Sequence, residues 1–567
     1  MKLRTALLGA AAAFALAPAA HAERGTDGQV NLSFAQAVST LNPFLSGGTK
    51  DIYAASMVIE PLAGFDTSGV IFPRLVTEIP TVENGGISAD LKTVTWKLIP
   101  GVKWSDGTPL TSADVKFTWE YCTHPEGGCA QLSKFEGVTA VDAVDDLTVL
   151  VTFAEAKPNP FTAFVGSQSP ILQKAQFEAC LGAAAPTCTA QNNAPLGTGP
   201  FRVTDFKVND VVTMEANPEY RDPAKPAFAT AMIKGGGDAL ASASSVMETG
   251  EFDYAWNTQI APDVQATMTA AGKGQFVVAF GTLVERLELN LTDPSPDLAD
   301  GERSTAKHPH PFLSDLNVRR ALSMAIDRQT LVEVGYGAGG LPTCNLVPAP
   351  AAFASDNTGC IAQDMEGAKA LLETAGWTDS DGDGIRDKDG KKLAILYQTT
   401  VNPIRQDFQA LIKSWWTELG AEVELKAIDP GVFFGGDAAS PDTFQRFYAD
   451  VEMYADNFDG TDPQVYLANR TCEKAPTPET QWQGENINRY CDPAYDALVV
   501  ELGKAQGDAA RGDIAKKLND MITKDSMAMI PLVHRGTLSA HSNALGGVQI
   551  NAWDSELWNV ENWVRVK

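Results

Sequence analysis

Aspartates alternate with small residues in the segment 379–387, which reads DSDGDGIRD, and this spacing is typical of an EF-hand-type calcium loop. The loop's ligand positions fall on Asp379, Asp381, Asp383, Ile385 (through its carbonyl) and Asp387. Gly390 stands where such a loop carries a bidentate glutamate, so we expect calcium affinity to be weakened. The pattern leaves two interpretations, a structural calcium site or a plain aspartate-rich turn.

A second group with chemical content is the tetrapeptide Tyr454-Ala455-Asp456-Asn457. A ligand ammonium group that leaves water needs a hydrogen-bonded anion, because its desolvation otherwise opposes binding. Asp456 could supply that anion. The residue types alone equally allow a solvated aspartate beside a turn.

Arg405 lies in the segment Asn402-Pro403-Ile404-Arg405, which opens a helix predicted over residues 408–419. Its planar guanidinium could hold a ligand carboxylate through two parallel hydrogen bonds. A surface salt bridge is the competing interpretation.

The local structure is best defined by the sequence around residues 94–121, a segment separate from these groups. Val94, Trp96 and Leu98 alternate with polar residues, which predicts a half-buried strand. The residues DGTP at 106–109 then predict a turn. Thr111 or Ser112 could cap a following helix that carries an aspartate in its first turn, where the helix dipole favours an anion.

Further elements can be predicted along the chain from periodicity and turn residues. Residues 202–206 and 211–215 predict a hairpin, and residues 287–290 predict a strand. Residues 316–327 are amphipathic with helical spacing. Gly420 fits the end of the helix that contains Arg405, before a strand at 422–427.

Three stretches of this chain resemble the signatures of one known family. They are GVKWSDGTPLTSADVKFTWEY at 101–121, LGTGPF at 196–201 and NPEY at 217–220. These segments resemble the extracellular solute-binding proteins of peptide-type ABC transporters. That family is known as family 5 and includes the dipeptide- and oligopeptide-binding proteins. The resemblance implies an α/β fold of the two-lobed periplasmic binding protein type (type II, cluster C), in which a subdomain inserted into the first lobe splits it.

The resemblance also implies domain limits for a chain too long for a single core. Lobe I is expected to combine residues 23–65, 199–284 and 530–567. The inserted subdomain is expected at 66–198 and lobe II at 285–529.

By the same resemblance, Asp456 lies in the cleft between the lobes and pairs with the α-ammonium group of a peptide, with Tyr454 beside it. The segment 250–257 is expected to form a short strand leading to the cleft, where Trp256 could stack on a cargo side chain and Asn257 could bind its backbone. Ordinary core packing is the alternative for Trp256.

The first residues have the features of an export signal. Lys2 and Arg4 precede an apolar run, and Ala20-His21-Ala22 fits a cleavage site, so residues 1–22 are expected to be a cleavable signal peptide that directs the chain to the periplasm. No later run of about 18 apolar residues predicts a membrane span. The formal charge of −27 disfavours nucleic acid and anionic lipid as partners.

Eight cysteines follow the signal, and export makes disulfides their expected state. Eight cysteines allow about 105 connectivities, so pairing by proximity is a hypothesis. It joins Cys122 with Cys129, Cys180 with Cys188, Cys344 with Cys360, and Cys472 with Cys491. A zinc site is disfavoured because the sequence contains no Cys-x-x-Cys motif and its histidines are scattered.

The resulting hypothesis is a monomeric, non-enzymatic substrate-binding protein of an ABC importer. It would capture a short peptide between two lobes and deliver it to permease subunits driven by ATPases, with no required cofactor beyond the calcium that the aspartate loop could bind. The same fold could instead carry a nickel chelate, haem, an opine or an oligosaccharide, or serve as a sensor. A secreted hydrolase is the alternative of a different class, although the sequence has no GxSxG or HExxH motif.

Overall fold

The computed structural model describes residues 24–435, 439–458 and 460–566. The expected signal peptide at 1–22 lies outside these residues. Within the described ranges, no helix combines the length and the apolar character that crossing a bilayer requires.

The first large sheet has seven strands and collects residues from three separate parts of the chain. Its strands, in spatial order, are Gly274–Ala279, Thr537–Ser542, Tyr254–Trp256, Gln29–Phe34, Thr230–Gly235, Val211–Ala216 and Phe201–Lys207. The last two form the antiparallel hairpin that the sequence predicts.

The second large sheet has six strands. In spatial order they are Gly340–Pro342, Met529–Arg535, Val284–Leu289, Val451–Asp456, Ala394–Thr400 and Glu422–Ile428. The domain limits stay a prediction, but Met529–Arg535 lies in this sheet and not in the first one, although the sequence assigns residues from 530 onward to lobe I. The strand is buried along its whole length and pairs antiparallel with the neighbouring strand Val284–Leu289.

A smaller antiparallel sheet lies within the predicted inserted subdomain. Its strands, in spatial order, are Thr93–Lys97, Thr148–Phe153 and Val138–Asp145. Two-stranded pairs elsewhere are Ala63–Phe65 with Ile71–Pro73, Asp387–Lys388 with Lys391–Lys392, and Leu545–Gly546 with Val564–Arg565.

Helices cover the faces of these sheets. The α-helices of the described residues are Thr49–Ser56, Ser112–Thr123, Lys174–Phe177, Thr189–Asn193, Ala239–Ser244, Pro262–Thr269, Leu316–Met324, Arg328–Gly335, Met365–Thr374, Pro403–Leu419, Pro430–Phe433, Gln464–Ala468, Pro493–Leu502 and Asp508–Asp520. The predicted helix 316–327 ends at Met324, because Asp327 accepts from the backbone N–H of Thr330 and caps the next helix instead.

The predicted strand, turn and helix around residue 100 are all present. Val94 and Trp96 are buried in the strand Thr93–Lys97, while Lys97 is exposed. Thr111 is the N-cap of Ser112–Thr123, and its backbone N–H donates to the Asp114 carboxylate at 2.9 Å. Asp114 also accepts from the backbone N–H of Lys174 at 2.9 Å, which ties the helix to the following segment.

Four disulfides are present, and they join the cysteine pairs named above. Cys472–Cys491 closes the longest of these loops, with a sequence separation of 19. In the chain-entropy account, closing a loop of this size contributes about 3 kcal/mol to stability.

Candidate functional site

The two large sheets face each other with the edges at which their parallel strands have their carboxyl ends. In the six-stranded sheet, the parallel strands end at Thr400, Ile428 and Asp456. In the seven-stranded sheet, the parallel strands include Gln29–Phe34 and Tyr254–Trp256. In open α/β sheets, ligands bind outside the carboxyl ends of the strands.

The chain crosses between the sheets at these same edges. One connection runs from Ala279 to Val284, and Val284 pairs with Asp456. The other is Gly536, between the strands Met529–Arg535 and Thr537–Ser542. The carboxyl edges of both sheets therefore meet at the connections, and a side-chain contact of 3.1 Å between Gln259 and Asn402 joins them.

Asp456 lies at this meeting point and is already paired with two arginines. Its Oδ2 accepts from Nη2 of Arg286 at 3.0 Å and from Nη2 of Arg470 at 3.3 Å. Its Oδ1 accepts from the backbone N–H of Asn457. The Asp456 side chain keeps 33% of its surface exposed, whereas both guanidinium groups are buried. The carboxylate is thus held in one orientation with an open side.

The buried arginines are balanced by a second carboxylate and by aromatic rings. Arg286 donates through Nε to Glu288 at 2.7 Å and through Nη1 to the Tyr466 hydroxyl at 3.0 Å. Its guanidinium lies 4.7 Å from the ring centre of Tyr454, whose hydroxyl accepts from Arg286 Nη2. With Arg470, the cluster has two guanidinium groups and two carboxylates and is close to neutral.

Tyr454 also belongs to a group of aromatic side chains next to Asp456. The rings of Phe433, Phe434 and Phe444 lie 5.6 to 6.2 Å from that of Tyr454, all edge-on to it. Phe434 is 45% exposed, an unusual exposure for so large an apolar side chain. The arrangement places an apolar surface beside the fixed carboxylate.

Trp256 is the last residue of the predicted short strand, which the structure forms as Tyr254–Trp256, and Asn257 follows it. The two side chains have different surroundings. Trp256 is 4% exposed and packs against Phe34 and Tyr53, with ring centres 5.0 and 5.9 Å away. Asn257 adopts a positive φ of 56° and accepts from Arg535 Nη2 at 3.1 Å. Contact of either residue with cargo stays a prediction, although core packing accounts for Trp256 in this conformation.

Arg405 is buried and occupied by a partner of its own. It donates to both oxygens of Glu285, at 2.6 and 3.3 Å, and to the Thr400 hydroxyl at 2.9 Å. Burial opposes ionisation of Glu285, yet Arg405 and Arg535 hold the pKa of that carboxyl below its usual value. Sequence reasoning overlooked Arg535, and its signal would have been a cation at the end of the apolar run IPLVHR.

The aspartate-rich loop has its own internal partners. The carboxyl oxygens of Asp379, Asp381 and Asp383 lie within 4.8 Å of one another. Lys392 contacts Asp383 and lies 3.4 Å from Asp381, so an ammonium group already occupies a cation's place. Asp387 accepts from the backbone N–H and hydroxyl of Ser380. Calcium binding stays a prediction, and these contacts fit a plain turn better.

Comparison with known proteins identifies the family and the fold. The sequence profile described as "Bacterial extracellular solute-binding proteins, family 5 Middle" matches residues 72–475. A putative ABC transporter peptide-binding protein of Brucella ovis is 25% identical over 449 residues, covering 76% of this chain and 75% of its own.

Two solved structures show the same fold. The oligopeptide-binding protein AppA of Bacillus subtilis, in complex with a nonapeptide, has a TM-score of 0.79 and 20% identity, covering 96% of this chain and all of that one (100%). NikZ of Campylobacter jejuni, in complex with Ni(L-His), has a TM-score of 0.77 and 20% identity, covering 95% and 99%. The resemblance in the sequence is thereby confirmed, and the chain belongs to the bacterial extracellular solute-binding proteins of family 5.

Proposed function

We propose that this protein is the substrate-binding component of an ABC importer and captures a short peptide between its two lobes. It binds the cargo without transforming it and passes it to membrane permease subunits coupled to ATPases. Cleavage of residues 1–22 during export would release it into the periplasm. The relatives described as peptide-binding proteins support this proposal.

One observation carries the proposal furthest. Asp456 is a partly exposed carboxylate that two buried guanidinium groups orient at the edge where the lobes meet. The oxygen that faces away from Arg286 and Arg470 can accept from the α-ammonium group of a peptide. The exposed ring of Phe434 nearby can cover an apolar side chain of the same peptide.

Closure of the lobes explains how such a site retains its cargo. A ligand stabilises the closed form only through contacts that the open form lacks. Contacts between the lobes, such as Gln259 with Asn402 and Lys474 with Glu136 at 3.7 Å, can then add to those that the cargo makes with each wall.

The proposal can be tested with an equimolar mixture of synthetic di- to pentapeptides and the mature protein. Native mass spectrometry should show intact peptides retained, and the retained peptides should raise the melting temperature, since they bind only the folded state. Asp456→Ala should lose retention, whereas Asp142→Ala, which removes an exposed carboxylate on a strand of the small antiparallel sheet, should keep it. Retention of no peptide, or the appearance of cleavage products, would contradict the proposal.

A further inference from the structure

The hinge crossover, residues 280–283, connects the two large sheets without belonging to a strand of either one. It lies between Ala279, the last paired residue of a strand in the first sheet, and Val284, the first paired residue of a strand in the second. In two-lobed proteins, a few residues at such connections absorb the rotation when the lobes close. The contacts of the hinge crossover therefore bear on how closure reaches the cargo site.

One side chain of the hinge crossover, Thr282, is bonded to the chain just beyond Asp456. Its hydroxyl donates to the backbone carbonyl of Phe458 at 2.7 Å and accepts from the backbone N–H of the same residue at 3.0 Å. Both residues are buried. Buried backbone groups need hydrogen-bond partners, and here a single hydroxyl satisfies both polar groups of Phe458.

This hydroxyl takes over where the backbone pairing of two strands ends. The antiparallel ladder between Val284–Leu289 and Val451–Asp456 ends at the pair Val284 and Asp456. The same register, continued by two residues, would place Thr282 opposite Phe458. The side chain of Thr282 makes the contact there instead, so a substitution can remove the link without altering the backbone.

The segment held in this way carries the carboxylate that faces the cleft. Oδ1 of Asp456 accepts from the backbone N–H of Asn457 at 2.9 Å. The ring centre of Phe458 lies 5.2 Å from that of Tyr466, whose hydroxyl accepts from Arg286, and Arg286 also donates to Oδ2 of Asp456. Displacement of Phe458 would thus disturb the surroundings of both carboxylate oxygens.

The hinge crossover is also packed against the first lobe through Gly281. A Cβ atom on Gly281 would lie 2.3 Å from the carbonyl oxygen of Ala552, so this backbone approaches as closely as only a glycine permits. Ala552 lies in the part of the chain predicted to return to lobe I. Since Gly281 and Thr282 are adjacent, the contact with the first lobe and the contact with the cargo segment are joined by one peptide bond.

We propose that Thr282 is a positioning residue of the cargo site and couples the hinge crossover to Asp456. The inference rests on the proposed function and deepens it. The Thr282 hydroxyl holds the segment from Asp456 to Phe458, so that the carboxylate keeps its orientation toward the α-ammonium group of the cargo. Coupling between two sites needs a physical connection that both can bias, and these two hydrogen bonds provide one.

Three variants test this role. Thr282→Val keeps the side-chain shape without the hydroxyl, and Thr282→Ser keeps the hydroxyl. Thr118→Val is the matched control, because Thr118 is also buried, donates to the carbonyl of Asp114 at 2.9 Å and accepts from the backbone N–H of Leu172 at 2.9 Å. Both valine variants should melt a few degrees below the wild type, since each removes two hydrogen bonds of a buried hydroxyl.

Binding distinguishes positioning from stability. Titration calorimetry compares each retained peptide with its N-acetyl form, which lacks the α-ammonium group. The wild type and Thr118→Val should bind the free amine at least about tenfold more tightly, as expected for a charge-assisted contact. Thr282→Val should lose most of this preference, and Thr282→Ser should recover it. A role in stability alone would lower the melting temperature and leave the preference unchanged.

A second measurement does not depend on the cargo. Hydrogen exchange, followed residue by residue in the protein without peptide, should be faster in Thr282→Val at two amides. The Phe458 amide loses its acceptor, and the Asn457 amide, which donates to Asp456, reports the orientation of that carboxylate. Thr282→Ser and Thr118→Val should show wild-type exchange at both amides.

The outcomes separate the two proposals. An undiminished preference in Thr282→Val, or a serine variant that behaves like the valine variant, would overturn the positioning role and leave peptide capture intact. Wild-type exchange of the Asn457 amide in Thr282→Val would overturn it even if no peptide bound. Failure of every peptide to bind would overturn the proposed function, while the exchange rates would still decide whether Thr282 positions Asp456.

Discussion

The carboxylate of Asp456 accepts a hydrogen bond from Arg286 at 3.0 Å, although the two residues are 170 positions apart in the chain. They meet because the strands Val284–Leu289 and Val451–Asp456 are antiparallel neighbours in the six-stranded sheet. Arg286 is fully buried, and Asp456 lies at the rim. A buried cation thereby orients a carboxylate that stays accessible to a ligand.

This pairing predicts that Asp456→Asn destabilises the protein even without cargo. The substitution keeps the side-chain shape but leaves Arg286 and Arg470 with Glu288 as their remaining carboxylate. We expect the free energy of unfolding to fall by about 1.5–3 kcal/mol, the usual range for hydrogen bonds to charged groups. Urea denaturation measures it, and the exposed Asp142→Asn should change the value by less than about 0.5 kcal/mol. Equal stability of both variants would mean that the arginines do not depend on Asp456.

Phe434→Ala should affect binding more than stability. The ring is 45% exposed, so we expect its removal to cost about 1 kcal/mol of stability or less. Affinity for peptides with an apolar first side chain should fall about tenfold, because a buried aromatic contact contributes about 1.5–3 kcal/mol. Peptides that begin with glycine should bind as before. Leu240→Ala, at an exposed position on a short helix, is the control. Equal losses for both kinds of peptide would exclude this role.

Lys392→Ala should increase calcium binding at the aspartate-rich loop. The Lys392 ammonium contacts Asp383 and lies 3.4 Å from Asp381, so it competes with a cation for these carboxylates. We expect wild-type dissociation constants of about 1 mM or weaker, and tighter binding in the variant. Calorimetry with calcium chloride measures both, and Lys391→Ala controls for the loss of one charge. Unchanged heats in Lys392→Ala would show that the loop is only a turn.

Stability should depend on pH through Glu285. Because Arg405 and Arg535 lower its pKa against the effect of burial, its folded-state pKa lies below the unfolded value of about 4.3. The folded protein then binds fewer protons than the unfolded chain, so this stabilisation is present at neutral pH and is lost as the pH falls below about 4. Unfolding free energies between pH 7 and pH 3 should show a smaller decrease in Glu285→Gln than in the wild type.

The pKa of Glu452 is shifted in the opposite direction to that of Glu285, so Glu452 serves as a control for the pH dependence. Burial raises its pKa well above the usual value, so this carboxyl group stabilises the protein most at low pH and loses that contribution as the pH rises through its folded-state pKa. Glu452→Gln should therefore be relatively more stable at pH 8 than at pH 4 when compared with the wild type. The same pH trend in both variants would contradict the assignment.

Much of the local structure follows from residues close together in the chain. The box formed by Thr111 and Asp114 starts a helix at Ser112, and the strand pair Phe201–Lys207 with Val211–Ala216 follows from alternation around a turn. Gly420, with φ of 96°, ends the helix Pro403–Leu419, because a glycine adopts this conformation without strain. The signature at 101–121 also indicated the family, and with it the two-lobed fold.

The side-chain contacts within the candidate site could not be predicted from residues close together in the chain. The neighbours of Arg405 in sequence do not indicate that its guanidinium binds Glu285, 120 residues away, and contact of Arg405 with cargo stays a prediction. In the sequence, Arg535 is marked only as a cation at the end of the apolar run 530–535, and its position 3.7 Å from Glu285 appears only in the tertiary structure.

What the sequence alone determined about this protein is therefore its family, its fold class and most of its local elements, because caps, turns and alternation act over a few residues. What only the tertiary structure decided is which charged side chains of the cleft pair with one another. Asp456 is paired with Arg286 and Arg470, and Glu285 with Arg405 and Arg535. The physical reason is that electrostatic balance depends on distances across neighbouring strands and between the lobes, which residue spacing along the chain does not specify.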